Sequence, residues 1–137
     1  MSIPSAYFYQ PFYRIMNNAS FITGLTGEEI AQSYLEEQGM RCLESRHREK
    51  TGEIDLIMEE GETLVFVEVK TRFSDGVPGN GLRAVNKAKQ KRIAKSAMLY
   101  LMKHRWTNRY VRFDVVEVNR DGVLHIPNAF QPGGMLF

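Results

Sequence analysis

Asp55 and the run Glu68-Val69-Lys70 are the residues whose types and spacing are best suited to chemistry. A hard divalent cation such as Mg²⁺ or Mn²⁺ takes oxygen ligands, commonly one or two carboxylates, with water and substrate phosphate completing its shell. Asp55 and Glu68 can supply the carboxylates, and the Val69 main-chain carbonyl a further oxygen. Lys70 follows Glu68 by two residues, so on an extended strand it shares the same face. There it can orient an attacking water or balance negative charge developing at phosphorus. A cation held between the carboxylates would polarise a phosphoryl oxygen and ease deprotonation of bound water. Glu28 can complete the shell if its helix packs over these strands. The plainer reading is an ion pair at a strand end, Glu68 with Lys70 or Asp55 with Lys70. Against it, Glu68 and Lys70 interrupt an otherwise apolar strand, where charges need a partner or a metal.

The surrounding pattern predicts the elements that position these groups. Thr26 followed by Glu29 makes a capping box, which opens a helix over 27–38 with Ala31, Tyr34 and Leu35 on one stripe and Gly39 as its stop. Residues 40–46 alternate weakly, as an edge strand does. In 53–58, Glu53, Asp55 and Ile57 fall on one face and Ile54, Leu56 and Met58 on the other. In 63–71, Leu64, Phe66, Glu68 and Lys70 oppose Val65, Val67 and Val69. Gly61 supplies the turn of an antiparallel hairpin. Folding residue 60 onto residue 61 sets Asp55 near Phe66, with Glu68 one pair away on the diagonal. Gly76–Gly81 is a glycine- and proline-rich loop, either a plain connector or a substrate-side loop. Asn86 caps a helix over 87–104, whose apolar stripe is Ile93, Ala97, Tyr100 and Leu101. Strands are expected over 110–118 and 123–126. Helices flanking one α/β sheet bury this pattern.

The chain has 137 residues and a formal net charge of +2, which suits one domain and hides an asymmetry. Residues 26–75 hold 13 acids against six bases, whereas residues 76–113 hold ten bases and no acid. Arg83, Lys87, Lys89, Lys91, Arg92 and Lys95 crowd into that basic half. Such a stripe is either a solvated helix face or a surface that binds phosphates. Cys42 is the only cysteine, which excludes an intrachain disulfide and cysteine-pair zinc sites. Cys42 is expected to pack, and Asp114 to hold an arginine. His47, His104 and His125 lack metal-ligand spacing, and Glu53 is either a supporting group or solvated. No apolar run is long enough to span a bilayer, and the first residues lack the pattern of a signal peptide, so a cytoplasmic location is expected. Residues 1–25, with Tyr7, Phe8, Tyr9, Phe12 and Tyr13, read as an aromatic extension ahead of one domain over 26–137.

Asp55 with Glu68-Val69-Lys70 resembles the catalytic motif of the restriction-endonuclease-like, PD-(D/E)XK, nuclease superfamily. More closely, four ordered blocks look like the signature of the bacterial YraN-like family, itself similar to archaeal Holliday-junction resolvases. They are Gly27-Glu28-Glu29-Ile30-Ala31, Gly52-Glu53-Ile54-Asp55-Leu56-Ile57, Val65-Phe66-Val67-Glu68-Val69-Lys70-Thr71-Arg72 and Arg112-Phe113-Asp114-Val115-Val116. The resemblance covers roughly residues 26–131, and Ile54 stands where the superfamily's name has proline. It implies a restriction-endonuclease-like mixed central sheet flanked by helices. It also implies a metal-dependent endonuclease with Glu28 as the helix glutamate, Asp55 and Glu68 as metal carboxylates and Lys70 as the catalytic lysine. The expected partner is nucleic acid, DNA and branched DNA in particular. Arg72, Arg83, Lys87, Lys91 and Lys95 are expected to hold its backbone, since nothing resembles a base-reading module. A homodimer would bring two sites to one symmetric junction. The alternative is a non-catalytic nucleic-acid-binding or partner-binding module that keeps the nuclease fold.

Overall fold

The computed structural model describes residues 25–72 and 85–132. Residues 1–24 of the aromatic extension, the loop Gly76–Gly81 and Arg83 lie outside the described residues. Helix α1 spans Gly27–Glu37 and begins as its capping box requires. The Thr26 hydroxyl accepts the Glu29 N–H at 3.1 Å, and the Glu29 carboxylate accepts the Thr26 N–H at 3.2 Å. At the other end Gly39 takes φ +99°, and the N–H groups of Gly39 and Met40 donate to the Glu36 and Leu35 carbonyls. These two bonds close a Schellman stop, which favours glycine at the left-handed position.

Strands β1 (Arg41–Glu49), β2 (Gly52–Glu60) and β3 (Thr63–Arg72) follow as an antiparallel meander. Helix α2 (Lys87–Lys103) lies in the connection to β4 (Tyr110–Asn119), which pairs parallel to β3, and β5 (Gly122–Ile126) closes the sheet antiparallel to β4. The result is a mixed five-stranded sheet in the order β1-β2-β3-β4-β5. A parallel pair needs a long crossover, and α2 supplies it. Asn86 caps α2 as expected, its side chain accepting the Lys89 N–H at 2.9 Å.

Side chains alternate across β3, and each set meets a different helix. Leu64 and Phe66 pack with Ile93, Ala97 and Tyr100 of α2, while Val65 and Val67 pack with Ile30, Tyr34 and Leu35 of α1. The two helices therefore cover opposite faces of the sheet, as a sheet buried on both sides demands. Among the described residues no helix is long and apolar enough to cross a membrane.

Two details differ from the expected pattern. The β2–β3 turn is Gly61-Glu62, with Glu60 opposite Thr63, so the register runs two residues beyond the expected fold-back. The alternation expected over 53–58 also breaks at Asp55. Ile54 joins the α2-side cluster rather than the α1-side cluster that takes Leu56 and Met58.

Gly27 sits where α1 meets the end of β3. A Cβ there would press into the Thr71 hydroxyl and lie 3.1 Å from Thr71 Cβ. Gly27→Ala is therefore expected to push the start of α1 off the sheet and cost about 1–3 kcal/mol, typical of overpacking. A urea titration of both proteins checks this; an unchanged midpoint would show that the helix start has room.

Candidate active site

The break at Asp55 builds the site. The β2–β3 ladder ends at Leu56 opposite Val67. Continuing it by one pair would set Asp55 opposite Glu68. Instead the strands part there, and the Asp55 carboxylate accepts the Val69 N–H through Oδ2 at 2.8 Å. A side chain thus takes a main-chain donor of β3 where the neighbouring strand has left the ladder. On the other side of β2, the pairs Ser45–Leu56 and His47–Ile54 flank Arg46, which adopts φ +52°. That left-handed conformation is costly for a residue with a side chain, and it falls on β1 opposite Asp55. The parted strands and α2 enclose a cleft of about 280 Å³ lined by Gly52, Glu53, Asp55, Glu68, Lys89, Arg92 and Ile93.

Asp55 and Glu68, placed near each other by sequence, do meet, and they shape each other's charge. Burial first, and then the charge of Glu68, push the Asp55 carboxyl up to about 7, although the Val69 N–H favours its ionised form. Glu68 is buried, and its Oε1 meets two ammonium groups, Lys89 Nζ at 2.6 Å and Lys70 Nζ at 3.3 Å. Burial and the neighbouring Lys89 hold Lys70 below the usual lysine range. Burial would lower Lys89 as well, but its hydrogen bonds with Glu68 and Lys70 and the charges of Glu68 and Asp55 outweigh that and raise it. The two lysines consequently differ: Lys89 keeps its proton firmly, while Lys70 gives one up more easily.

Glu28 comes to the same end of the sheet without lining this cleft. It lies on an adjacent cavity with Thr26, Glu29, Gln32, Ser45 and Arg46, and is 4.0 Å from the Arg46 guanidinium. Its charge still reaches Asp55 and contributes to the raised carboxyl. Val69 uses its N–H on Asp55, which leaves its carbonyl as the group considered for a cation.

Asp55 and Glu68 fit a hard divalent cation. They are two oxygen donors at one cleft, one of them driven toward protonation by burial and by its neighbour's charge, a strain that a cation relieves. Among the described residues no group of three or more His, Cys, Asp or Glu side chains converges to hold a metal. The remaining positions would fall to water, a main-chain carbonyl and substrate oxygens.

Of the other expected nucleic-acid contacts, Arg72 ends β3, and Lys87, Lys91 and Lys95 are exposed on α2 outside the cleft lining. Lys89 and Arg92 are the cleft residues that sequence reasoning left in the general basic stripe. A signal for Lys89 was present: it stands four residues before Ile93, so it extends the buried stripe by one turn toward the carboxylates. Asp114 holds an arginine as expected, accepting from Arg112 Nε at 2.9 Å, and it holds His125 as well. Cys42 is partly buried against the α1-side core.

The structure thus defines a mixed α/β protein whose central sheet opens at one end onto a carboxylate pair and two lysines. The chain belongs to the uncharacterised protein family UPF0102, whose family model matches residues 27–118, a span that holds every cleft residue. Relatives carrying that family name include a Geobacter metallireducens protein, 43% identical over 112 residues, covering 79% of this chain and 91% of its own. One from Persephonella marina is 39% identical, covering 81% of this chain and 95% of its own. One from Syntrophus aciditrophicus is 48% identical over 99 residues, covering 71% of this chain and 76% of its own.

Proposed function

We propose that this protein is a divalent-cation-dependent endonuclease that hydrolyses phosphodiesters of nucleic acid, with branched DNA as its substrate. The observation that supports the reading most is that Asp55 and Glu68 line one open cleft with Lys70 3.3 Å from Glu68, in the motif order of the nuclease superfamily that the sequence resembles. The choice of DNA, and of branched DNA, rests on that resemblance alone.

Mg²⁺ or Mn²⁺ on Asp55 and Glu68 would supply charge stabilisation at the phosphoryl group and an acidified water. The chain's own groups carry the rest. The Val69 N–H fixes the Asp55 carboxylate at the mouth of the parted strands. Lys70, held below its usual range, is suited to accept or relay the proton of an attacking water at Nζ. Arg92 on the cleft wall and Lys87, Lys91 and Lys95 beyond it offer positive charge to the flanking phosphates. Two copies related by a two-fold axis would present two such clefts to a symmetric junction.

The test is incubation of the full chain with junction, flap and linear DNA in Mg²⁺, Mn²⁺ or chelator. Cation-dependent cleavage that disappears in Asp55→Ala and Glu68→Ala is the expected outcome. Binding that survives both substitutions, without cleavage of any substrate, would overturn the enzyme and favour a non-catalytic binding module.

A further inference from the structure

Lys89 brings to Glu68 a positive charge from outside the sheet. Its ammonium is the closer of the two on Glu68 Oε1, at 2.6 Å against 3.3 Å for Lys70. Its backbone is anchored at both sides. The Lys89 N–H is bound to the Asn86 cap at 2.9 Å, and Ile93, one turn on, is buried in the core. Only the four-carbon stem can swing, and its side chain is 31% exposed, at the open side of the same cleft. A divalent cation on Glu68 and Asp55 would need the lone pairs and the space that this ammonium takes. Two positive charges so close in a partly buried site repel strongly, so the two occupancies compete.

We propose that Lys89 is a tethered cation that fills the carboxylate pair in the metal-free protein, and that a divalent cation displaces it into the cleft, where a phosphate of the nucleic acid takes it up. The inference rests on the reading that Asp55 and Glu68 hold the cation. It deepens that reading by making cation and phosphate binding mutually supportive: each removes Lys89 from where the other needs it gone or brought. Lys87 and Lys91 carry the same charge on the same helix, but they are exposed and line no part of the cleft.

The test is Mn²⁺ binding to the full chain by calorimetry without nucleic acid, comparing wild type with Lys89→Met, Lys87→Met and Glu68→Ala. Loss of a charged hydrogen bond to the competing ammonium should tighten Mn²⁺ binding about tenfold in Lys89→Met. Lys87→Met should change it by less than about twofold, as expected of a screened surface charge, and Glu68→Ala should abolish it. A second measurement needs no variant: amine-reactive labelling of wild type, read at the Lys89 peptide by mass spectrometry, should rise when Mn²⁺ is added. Equal or weaker Mn²⁺ binding in Lys89→Met, or labelling that ignores Mn²⁺, overturns the inference while leaving the cation site standing. Absence of Mn²⁺ binding to wild type and Lys89→Met alike overturns the cation site and the inference with it.

Discussion

Asp114→Ala is expected to lower the free energy of unfolding by about 3–5 kcal/mol, the range for removing one partner of a buried charge pair. Asp114 is fully buried on β4. Its Oδ1 accepts from Arg112 Nε and from the Asn128 N–H, both at 2.9 Å, and its Oδ2 meets Arg112 at 3.1 Å and His125 Nε2 at 2.7 Å. Truncation leaves the Arg112 fork and the Asn128 N–H without their acceptor. The Glu60 carboxylate, 2.9 Å from Arg112 Nη1, would retain part of the arginine's pairing. Asp114→Asn keeps the shape and one acceptor, so it should lose less. The pH dependence follows from the carboxyl itself. Burial would raise it, but the His125 and Arg112 hydrogen bonds outweigh burial and hold it below the usual carboxylate range. The stabilisation is then complete above the unfolded-state value of about 3.9 and fades as pH falls through the lower folded value. The gap between wild type and Asp114→Ala in urea denaturation should narrow correspondingly in strong acid. A loss under about 1 kcal/mol at pH 7 would mean that this cluster is no more than a surface ion pair.

The parts of the molecule legible in the sequence are those decided locally. A capping box needs only Thr26 and Glu29, and an N-cap only Asn86, so both helix starts fall where the residues put them. The alternation of β3 is likewise visible, because Val65, Val67 and Val69 contrast with Leu64, Phe66 and Glu68 only through a two-residue period. The register was not legible. Gly61 announces a turn but not its size, and the two-residue turn moves Asp55 from the neighbourhood of Phe66 toward Glu68. Nor was the break at Asp55. Ile54, Leu56 and Met58 alternate perfectly as letters; the change of face comes where the β2–β3 ladder stops and where Arg46, between the partners of Leu56 and Ile54 on β1, takes a left-handed φ. Lys89 was hidden for a third reason. Its charge and its basic neighbours are those of a solvated helix face; its spacing from Ile93 puts it on the buried stripe, but only the placement of α2 across the cleft brings it to Glu68.

Asp55→Asn is expected to stabilise the protein in chelator at pH 8, by on the order of 2–4 kcal/mol given about 1.36 kcal/mol per unit of carboxyl displacement. The substitution keeps an oxygen to accept the Val69 N–H and removes a charge that burial and Glu68 disfavour. The sign follows from proton counts. The Asp55 carboxyl stands at about 7 in the folded protein against 3.8 ordinarily, so between those values the folded state binds the extra proton. Wild-type stability therefore falls as pH rises through that window, and the cost is complete above it. The advantage of Asp55→Asn should vanish near pH 4 and be largest above pH 7. A saturating cation should reverse the order: a ligand at about a thousand times its dissociation constant adds about 4.1 kcal/mol to the protein that binds it. Mn²⁺ at pH 8 should accordingly raise the urea midpoint of wild type and leave Asp55→Asn where it was. Equal stability of the two proteins in chelator at pH 8 would show that the carboxylate pair stores no repulsion. A rise that both proteins share on adding Mn²⁺ would place the cation elsewhere. The opposite signs with and without cation distinguish a binding site from a merely buried acid, because a merely buried acid would give Asp55→Asn the same advantage under both conditions.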